Sequence, residues 1–147
     1  MSASRAASSD CDLCRGNGGT VLWRDAELRV VQVADAEYPG FVRVIWNAHV
    51  REMTDLAPAQ RTRLLAVVCA VEEVLRSTLV PDKINLASLG NMVPHLHWHV
   101  IARFGADPHY PNPVWGVRLR AADPAEGARQ RAALAGLAPA LARALAQ

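Results

Sequence analysis

Pro94-His95-Leu96-His97-Trp98-His99-Val100-Ile101 is the stretch on which the reading of this chain turns. Successive side chains of a β-strand point to opposite faces. A strand here therefore sets His95, His97 and His99 on one face and Leu96, Trp98 and Val100 on the other. The second face is apolar and belongs to a core. The first collects three of the five histidines in the chain. Three groups that can each become cationic bring no packing benefit, so the row points to chemistry on an anionic substrate or on a metal.

Upstream, Gly16-Asn17-Gly18-Gly19 reads as a turn. It is followed by Thr20-Val21-Leu22-Trp23 and Leu28-Arg29-Val30-Val31-Gln32-Val33, two strands separated by Arg24-Asp25-Ala26-Glu27 as a hairpin. Tyr38-Pro39-Gly40 breaks the chain, and Phe41-Val42-Arg43-Val44-Ile45-Trp46 alternates as a third strand. From Pro58 to Leu79 the apolar Leu64, Leu65, Val67, Val68, Val71, Val74 and Leu75 recur at helical spacing, with Pro58 suited to a first turn. Pro81-Asp82 stops this helix, residues 83–89 read as a fourth strand, Gly90-Asn91 turns, and the histidine strand is the fifth. Residues 107–116 are too rich in proline for regular structure. Residues 125–147 form an Ala-rich helix that Pro139 should kink or split. Strands, one long helix, then strands in hairpin-like order predict an α+β fold: a mostly antiparallel five-stranded sheet, one long helix and a C-terminal helical extension.

At 147 residues and 51% hydrophobic, the chain suits one domain with a real core. We divide it into a disordered start over 1–10, a domain over 11–104, and a Pro-rich loop and helix over 105–147 packed on the same domain. A net charge of +2 without a Lys/Arg block gives no support for a nucleic-acid polymer or a membrane surface as partner, and is compatible with a phosphate-bearing small molecule. The polar N-terminal segment has no apolar signal-like run, and no stretch reaches the length of a membrane span, so a cytoplasmic location is expected. Cys11, Cys14 and Cys69 make no disulfide framework, and Cys69, inside the helical run, is expected to be buried.

His95-Leu96-His97-Trp98-His99-Val100-Ile101 resembles the His-φ-His-φ-His-φ-φ signature of the histidine triad family of nucleotide hydrolases and transferases, where φ is apolar. Asn85, the following Gly90-Asn91, and His49 in Asn47-Ala48-His49-Val50 lie where that family carries partner residues. Asn91-Met92-Val93-Pro94 with the tail resembles a bacterial subgroup described as diadenosine-tetraphosphate-hydrolase-like. The likeness spans roughly residues 11–104. It implies a homodimer and no organic cofactor. It also implies attack on the α-phosphate of a nucleotide by the middle histidine, His97, through a nucleotidyl-histidine intermediate that releases a nucleoside monophosphate.

The residue types agree with that chemistry. A neutral imidazole is a competent nucleophile at neutral pH, provided its other nitrogen is held as a donor; a backbone carbonyl is expected to do this for His97. His99, on the same face, donates to non-bridging phosphoryl oxygens, and His95 orients the site or binds a metal. Asn85, Asn91, Met92 and His99 are the expected nucleotide contacts, with Asn85 equally suited to bonding neighbouring backbone. Where much of the family carries a Gln and then a Ser or Thr, this chain has Asn91 and Met92. Met cannot donate a proton, which favours leaving groups that depart as stable phosphate anions over phosphoramidates. Two other classes stay open: a nucleotide-binding module with little turnover, and a metal centre on His95, His97 and His99 themselves.

Cys11 and Cys14 form a single C-x-x-C pair, by itself a weak zinc signal against two free surface thiols. The resemblance supplies His49 and His95 to complete a structural Cys₂His₂ zinc site. Trp23, Trp46 and Trp98 are expected in the core, Trp115 and His109 in packing or in a cap on the site. Arg103 reads as a solvated strand end and Arg61-Thr62-Arg63 as the wet face of the helix.

Overall fold

The computed structural model describes residues 7–146. Five strands, β1 (Thr20–Arg24), β2 (Leu28–Gln32), β3 (Phe41–Trp46), β4 (Lys83–Ala87) and β5 (His97–Arg103), form one sheet in the order β1-β2-β3-β5-β4. Every neighbouring pair is antiparallel. The α+β architecture with its five-stranded antiparallel sheet is the one expected. A short helical turn, α1 (Asp12–Arg15), precedes the sheet, the long helix α2 (Pro58–Leu79) joins β3 to β4, and α3 (Pro124–Ala133) and α4 (Leu137–Ala144) close the chain.

α2 begins as its sequence directs, with Pro58 in the first turn and Gln60 Oε1 accepting the backbone N–H of Ala57 at 2.9 Å. It ends at Val80, which takes a left-handed conformation (φ +50°) and donates its N–H to Arg76 O. Leu64, Val67, Val68, Val71, Val74, Leu75 and Leu79 repeat the three-and-four step and are buried. They meet Leu28, Val30, Val42, Val44, Trp46, Val100 and Ala102 from the sheet. At roughly 1.5–3 kcal/mol per buried aliphatic side chain, this face contributes strongly to the drive to fold. Leu65 and Cys69 fall on the flank of the helix instead, and both are exposed. The expectation of a buried Cys69 is thus wrong: an apolar run does not place every one of its members inward.

Leu137, Leu141 and Leu145 join the same core, so the C-terminal helices pack on α2 and the sheet. The break in this extension comes at a 3₁₀ turn over Leu134–Gly136 rather than at Pro139. Pro139 sits in the first turn of α4, where its missing N–H has no intrahelical acceptor to lose. Of the expected disordered start over 1–10, residues 1–6 lie outside the described residues, as does Gln147 at the other end. Residues 8–11 form a turn, Cys11 N–H donating to Ser8 O at 3.2 Å.

The opposite face of the sheet collects the candidate functional side chains. The pairs Arg29↔Ile45, Val31↔Arg43, Arg43↔His99, Ile45↔His97, Phe41↔Ile101, Asn85↔Ile101 and Lys83↔Arg103 are in register. Directly paired residues share a face. Arg29, Arg43, Asn85, His97, His99 and Arg103 are therefore neighbours on one surface.

Candidate active site and metal-ligand cluster

The histidine strand starts later than its alternation suggests. β5 pairs from His97, opposite Ile45, while the residues before it bend: His95 N–H donates to Val93 O and Leu96 N–H to Val50 O. His95 thereby leaves the row and its Nδ1 faces the N-terminal segment. All three imidazoles are buried.

His97 Nδ1 donates to the carbonyl of His95 at 2.5 Å, the backbone partner expected of it. This bond fixes the proton on Nδ1 and leaves the lone pair on Nε2. Ser88 Oγ donates to the carbonyl of His97 at 2.8 Å, tying the β4–β5 loop to the strand. His99 lies edge-on to His97, with ring centroids 4.9 Å apart. Burial, with smaller contributions from His97 and the Arg43 charge, holds its pKa down to about 4, and burial likewise lowers that of His97. Both rings are neutral near pH 7.

Met92 is 93% exposed and Asn91 is exposed in the loop before β5. Asn85 is half-buried on the histidine face, where its Oδ1 accepts from Arg103 at 2.7 Å. That bond turns its amide nitrogen away from Arg103 and leaves it free to donate.

Arg103 contradicts the reading of a solvated strand end, since it is 1% exposed. It makes a bidentate pair with Asp107, Nε to Oδ2 at 2.8 Å and an Nη to Oδ1 at 3.0 Å, and also donates to Asn112 O. Asp107 accepts further from Tyr38 OH and from the N–H groups of Phe104, His109 and Tyr110. These bonds hold its pKa near 2 despite burial. His109 Nδ1 bonds Tyr38 OH at 2.6 Å. This latch gives the Pro-rich segment a fixed course without regular structure. It brings Trp115, 52% exposed, to within 4.9 Å of the His99 ring and 6.2 Å of Phe41. Trp115 is thus a cap beside the histidines, while His109 braces Tyr38. Trp46 is buried as expected, and Trp23 and Trp98 pack partly buried against the core.

Cys11 and Cys14 are not surface thiols. Their Sγ atoms and the Nδ1 atoms of His49 and His95 all lie within 4.8 Å of one another. Cys11–His95 is 3.4 Å, Cys14–His49 3.3 Å, Cys14–His95 3.5 Å and His49–His95 3.3 Å. A tetrahedral Zn²⁺ with Zn–N of about 2.0–2.1 Å and Zn–S of about 2.3 Å requires edges of roughly 3.3–3.8 Å, and these four distances fall in that range. His95 Nε2 donates to Trp46 O at 2.6 Å, which leaves Nδ1 as the ligating nitrogen. Among the described residues His97 and His99 belong to no such group, so the three triad histidines are not gathered round one metal position.

Two arginines went unread in the sequence. Arg29, 4% exposed, donates to the carbonyls of Leu13, Gly16 and Asn17 and to Asn47 Oδ1, stapling the cysteine segment to β2. Arg43 reaches the carbonyl of Gly18 at 3.2 Å. The signal for both was an Arg between apolar neighbours in a strand covered on both faces, which needs a reason to be there.

The comparisons agree with this geometry. Residues 16–106 match the HIT domain family. Over 74 residues the chain is 34% identical to a bis(5'-nucleosyl)-tetraphosphatase (asymmetrical) of Schizosaccharomyces pombe, a match covering 47% of this chain and 41% of that enzyme. A histidine triad protein from Bradyrhizobium japonicum is 30% identical with a TM-score of 0.71, covering 96% of this chain and 99% of the other. Another from Marinobacter aquaeolei is 32% identical with a TM-score of 0.68, covering 86% and 91%. With a triad strand and a family match that spans all five strands, this chain belongs to the HIT domain family of histidine triad proteins.

Proposed function

We propose that the chain is a nucleotide hydrolase or transferase acting at an α-phosphate, with His97 as nucleophile and dinucleoside polyphosphates as substrates. The observation that carries this is the bond from His97 Nδ1 to the His95 carbonyl, which leaves Nε2 as a bare lone pair beside His99. Nε2 forms a bond to the α-phosphorus as the bond to the bridging oxygen breaks, and the leaving group departs as a phosphate anion. His99 donates to a non-bridging oxygen while charge accumulates there. Water then displaces the imidazole, losing its proton to solvent, and releases the nucleoside monophosphate. Asn85 donates its amide nitrogen to the nucleotide, and the Asn91-Met92 loop lies on the leaving-group side.

Cys11, Cys14, His49 and His95 are proposed to hold a structural zinc ion, whose chemistry is to cross-link the N-terminal segment to the strand carrying His97. A homodimer in the cytoplasm completes the proposal. No helix among the described residues is long and apolar enough to cross a membrane. Sedimentation tests the dimer.

The test of function is chromatographic release of nucleoside monophosphate from dinucleoside polyphosphates, nucleotide sugars and an adenosine phosphoramidate, with His97→Ala as control. Release from polyphosphates that vanishes in the variant, while nucleotide still binds, is expected. Equal release from both proteins overturns the assignment of His97. No release from the wild type, with nucleotide still bound, leaves a binding module.

A further inference from the structure

Among the described residues, buried side-chain nitrogens without a hydrogen-bond partner occur at two places, Arg43 Nε and His99 Nδ1. Arg43 and His99 are register partners on adjacent strands and point to the same face of the sheet. Buried polar nitrogens are almost always paired in folded proteins, so two orphans on register-paired residues point to a shared missing partner.

The charge balance at Arg43 makes the same point. Its guanidinium is half-buried, and desolvation lowers its pKa from the ordinary arginine value. It forms no ion pair with a carboxylate among the described residues. Its contacts are the Gly18 carbonyl and the ring of Phe41, 5.8 Å from the guanidinium carbon. Neither supplies negative charge. By contrast, Arg103 on the same face has a carboxylate and Arg29 has four neutral oxygens. Burying a cation without an anion is costly, and a ligand anion relieves that cost when it binds.

The loop that holds Arg43 is built for close approach. Gly18 has φ +83°, and a Cβ there would lie 2.7 Å from Leu13 Cδ2 and 2.9 Å from Ile45 Cδ1. The positive φ favours glycine there, and its carbonyl accepts from one Nη of Arg43 while Nε is left without a partner.

We infer that Arg43 and His99 form a two-pronged anion site that grips a phosphoryl group of the nucleotide, making Arg43 a substrate-binding residue of this chain. The inference rests on the nucleotide reading above. Planar guanidinium donors suit phosphoryl oxygens, and charge-assisted bonds of this kind shorten and strengthen in a water-poor site. Ligands that carry phosphate therefore gain from Arg43, and a bare nucleoside does not.

The test is calorimetric titration of the wild-type protein, Arg43→Met and Arg43→Lys with adenosine, AMP, ADP and inorganic phosphate. Arg43→Met is expected to weaken AMP and ADP by about 10- to 100-fold and to leave adenosine unchanged. Arg43→Lys keeps the charge but lacks Nε, and is expected to fall between. Equal affinity of all three proteins for AMP and ADP overturns the inference. So does an equal loss of adenosine and AMP that lysine does not restore, which marks a purely structural arginine. If Arg43→Met does not fold, Arg43→Lys carries the test, and AMP affinity equal to wild type overturns it. Phosphate-dependent binding that needs Arg43, in a wild-type protein that releases no monophosphate, supports the anion site while removing His97 as nucleophile.

Discussion

Asp107→Asn removes one charge from the latch that holds the Pro-rich segment while keeping the side chain's shape. The side chains of Arg103 and Asp107 are 2% and 6% exposed, which puts the pair among buried ion pairs rather than screened surface ones. Asparagine strands the Arg103 cation and turns an acceptor toward N–H groups as a donor, a change worth about 3 kcal/mol at neutral pH. The pH dependence gives an independent figure. Asp107 ionises near 2 in the folded chain against an ordinary 3.8. Its stabilising contribution is therefore complete above about pH 5 and is lost as pH falls through 2, because the unfolded chain takes up the proton first. The shift corresponds to about 2 kcal/mol. Urea unfolding of wild type and variant, followed at intervals from pH 6 to pH 2, should show a gap of about 3 kcal/mol that narrows by about 2 kcal/mol on acidification. Other carboxylates titrate in both proteins and cancel in the difference. A gap below about 1 kcal/mol at pH 6, or one constant with pH, would refute the view that this ion pair organises the loop.

Three further outcomes are expected. Cys14→Ser should abolish stoichiometric zinc in the purified protein and lower its melting temperature; unchanged metal content by atomic absorption would dissolve the four-ligand cluster. Trp115→Ala should raise KM for a nucleotide substrate by about 5- to 150-fold with kcat within a few-fold, since stacking of a base on an indole is worth about 1–3 kcal/mol. A fall in kcat at constant KM would instead make the indole a shield for His99. Val80→Gly should stabilise the chain by about 1 kcal/mol in chemical denaturation, because a β-branched residue is strained at φ +50° and this one is 79% exposed. Destabilisation would mean that the left-handed cap is not strained.

The elements that sequence reading located best were those whose periodicity is set by one buried face. α2 runs from Pro58 to Leu79 as expected, because its stripe, its first-turn proline and its terminating Pro81 all agree. The strands were legible for the same reason, and the histidine row stood out because imidazoles do not belong on a packed face. The cysteine pair was ambiguous on its own and needed the two distant histidines before it meant anything. That juxtaposition spans 84 positions between Cys11 and His95, and no local pattern encodes it.

The misreadings share one cause. Arg103 was judged by the average behaviour of arginine, which is to be solvated, and Arg29 and Arg43 drew no reading at all. Each lies instead on a sheet face covered by irregular chain: Arg103 under the Pro-rich loop, Arg29 under the cysteine segment, Arg43 under the glycine turn. Irregular segments have backbone groups that no ladder satisfies, and long guanidinium forks satisfy several at once. The arginines on the histidine face are thus the means by which loops without regular hydrogen bonding are held over a reactive surface. Where the fork has an oxygen for each nitrogen the residue is a staple. Where the fork is not filled, as at Arg43 Nε, the staple has a hand free for an anion.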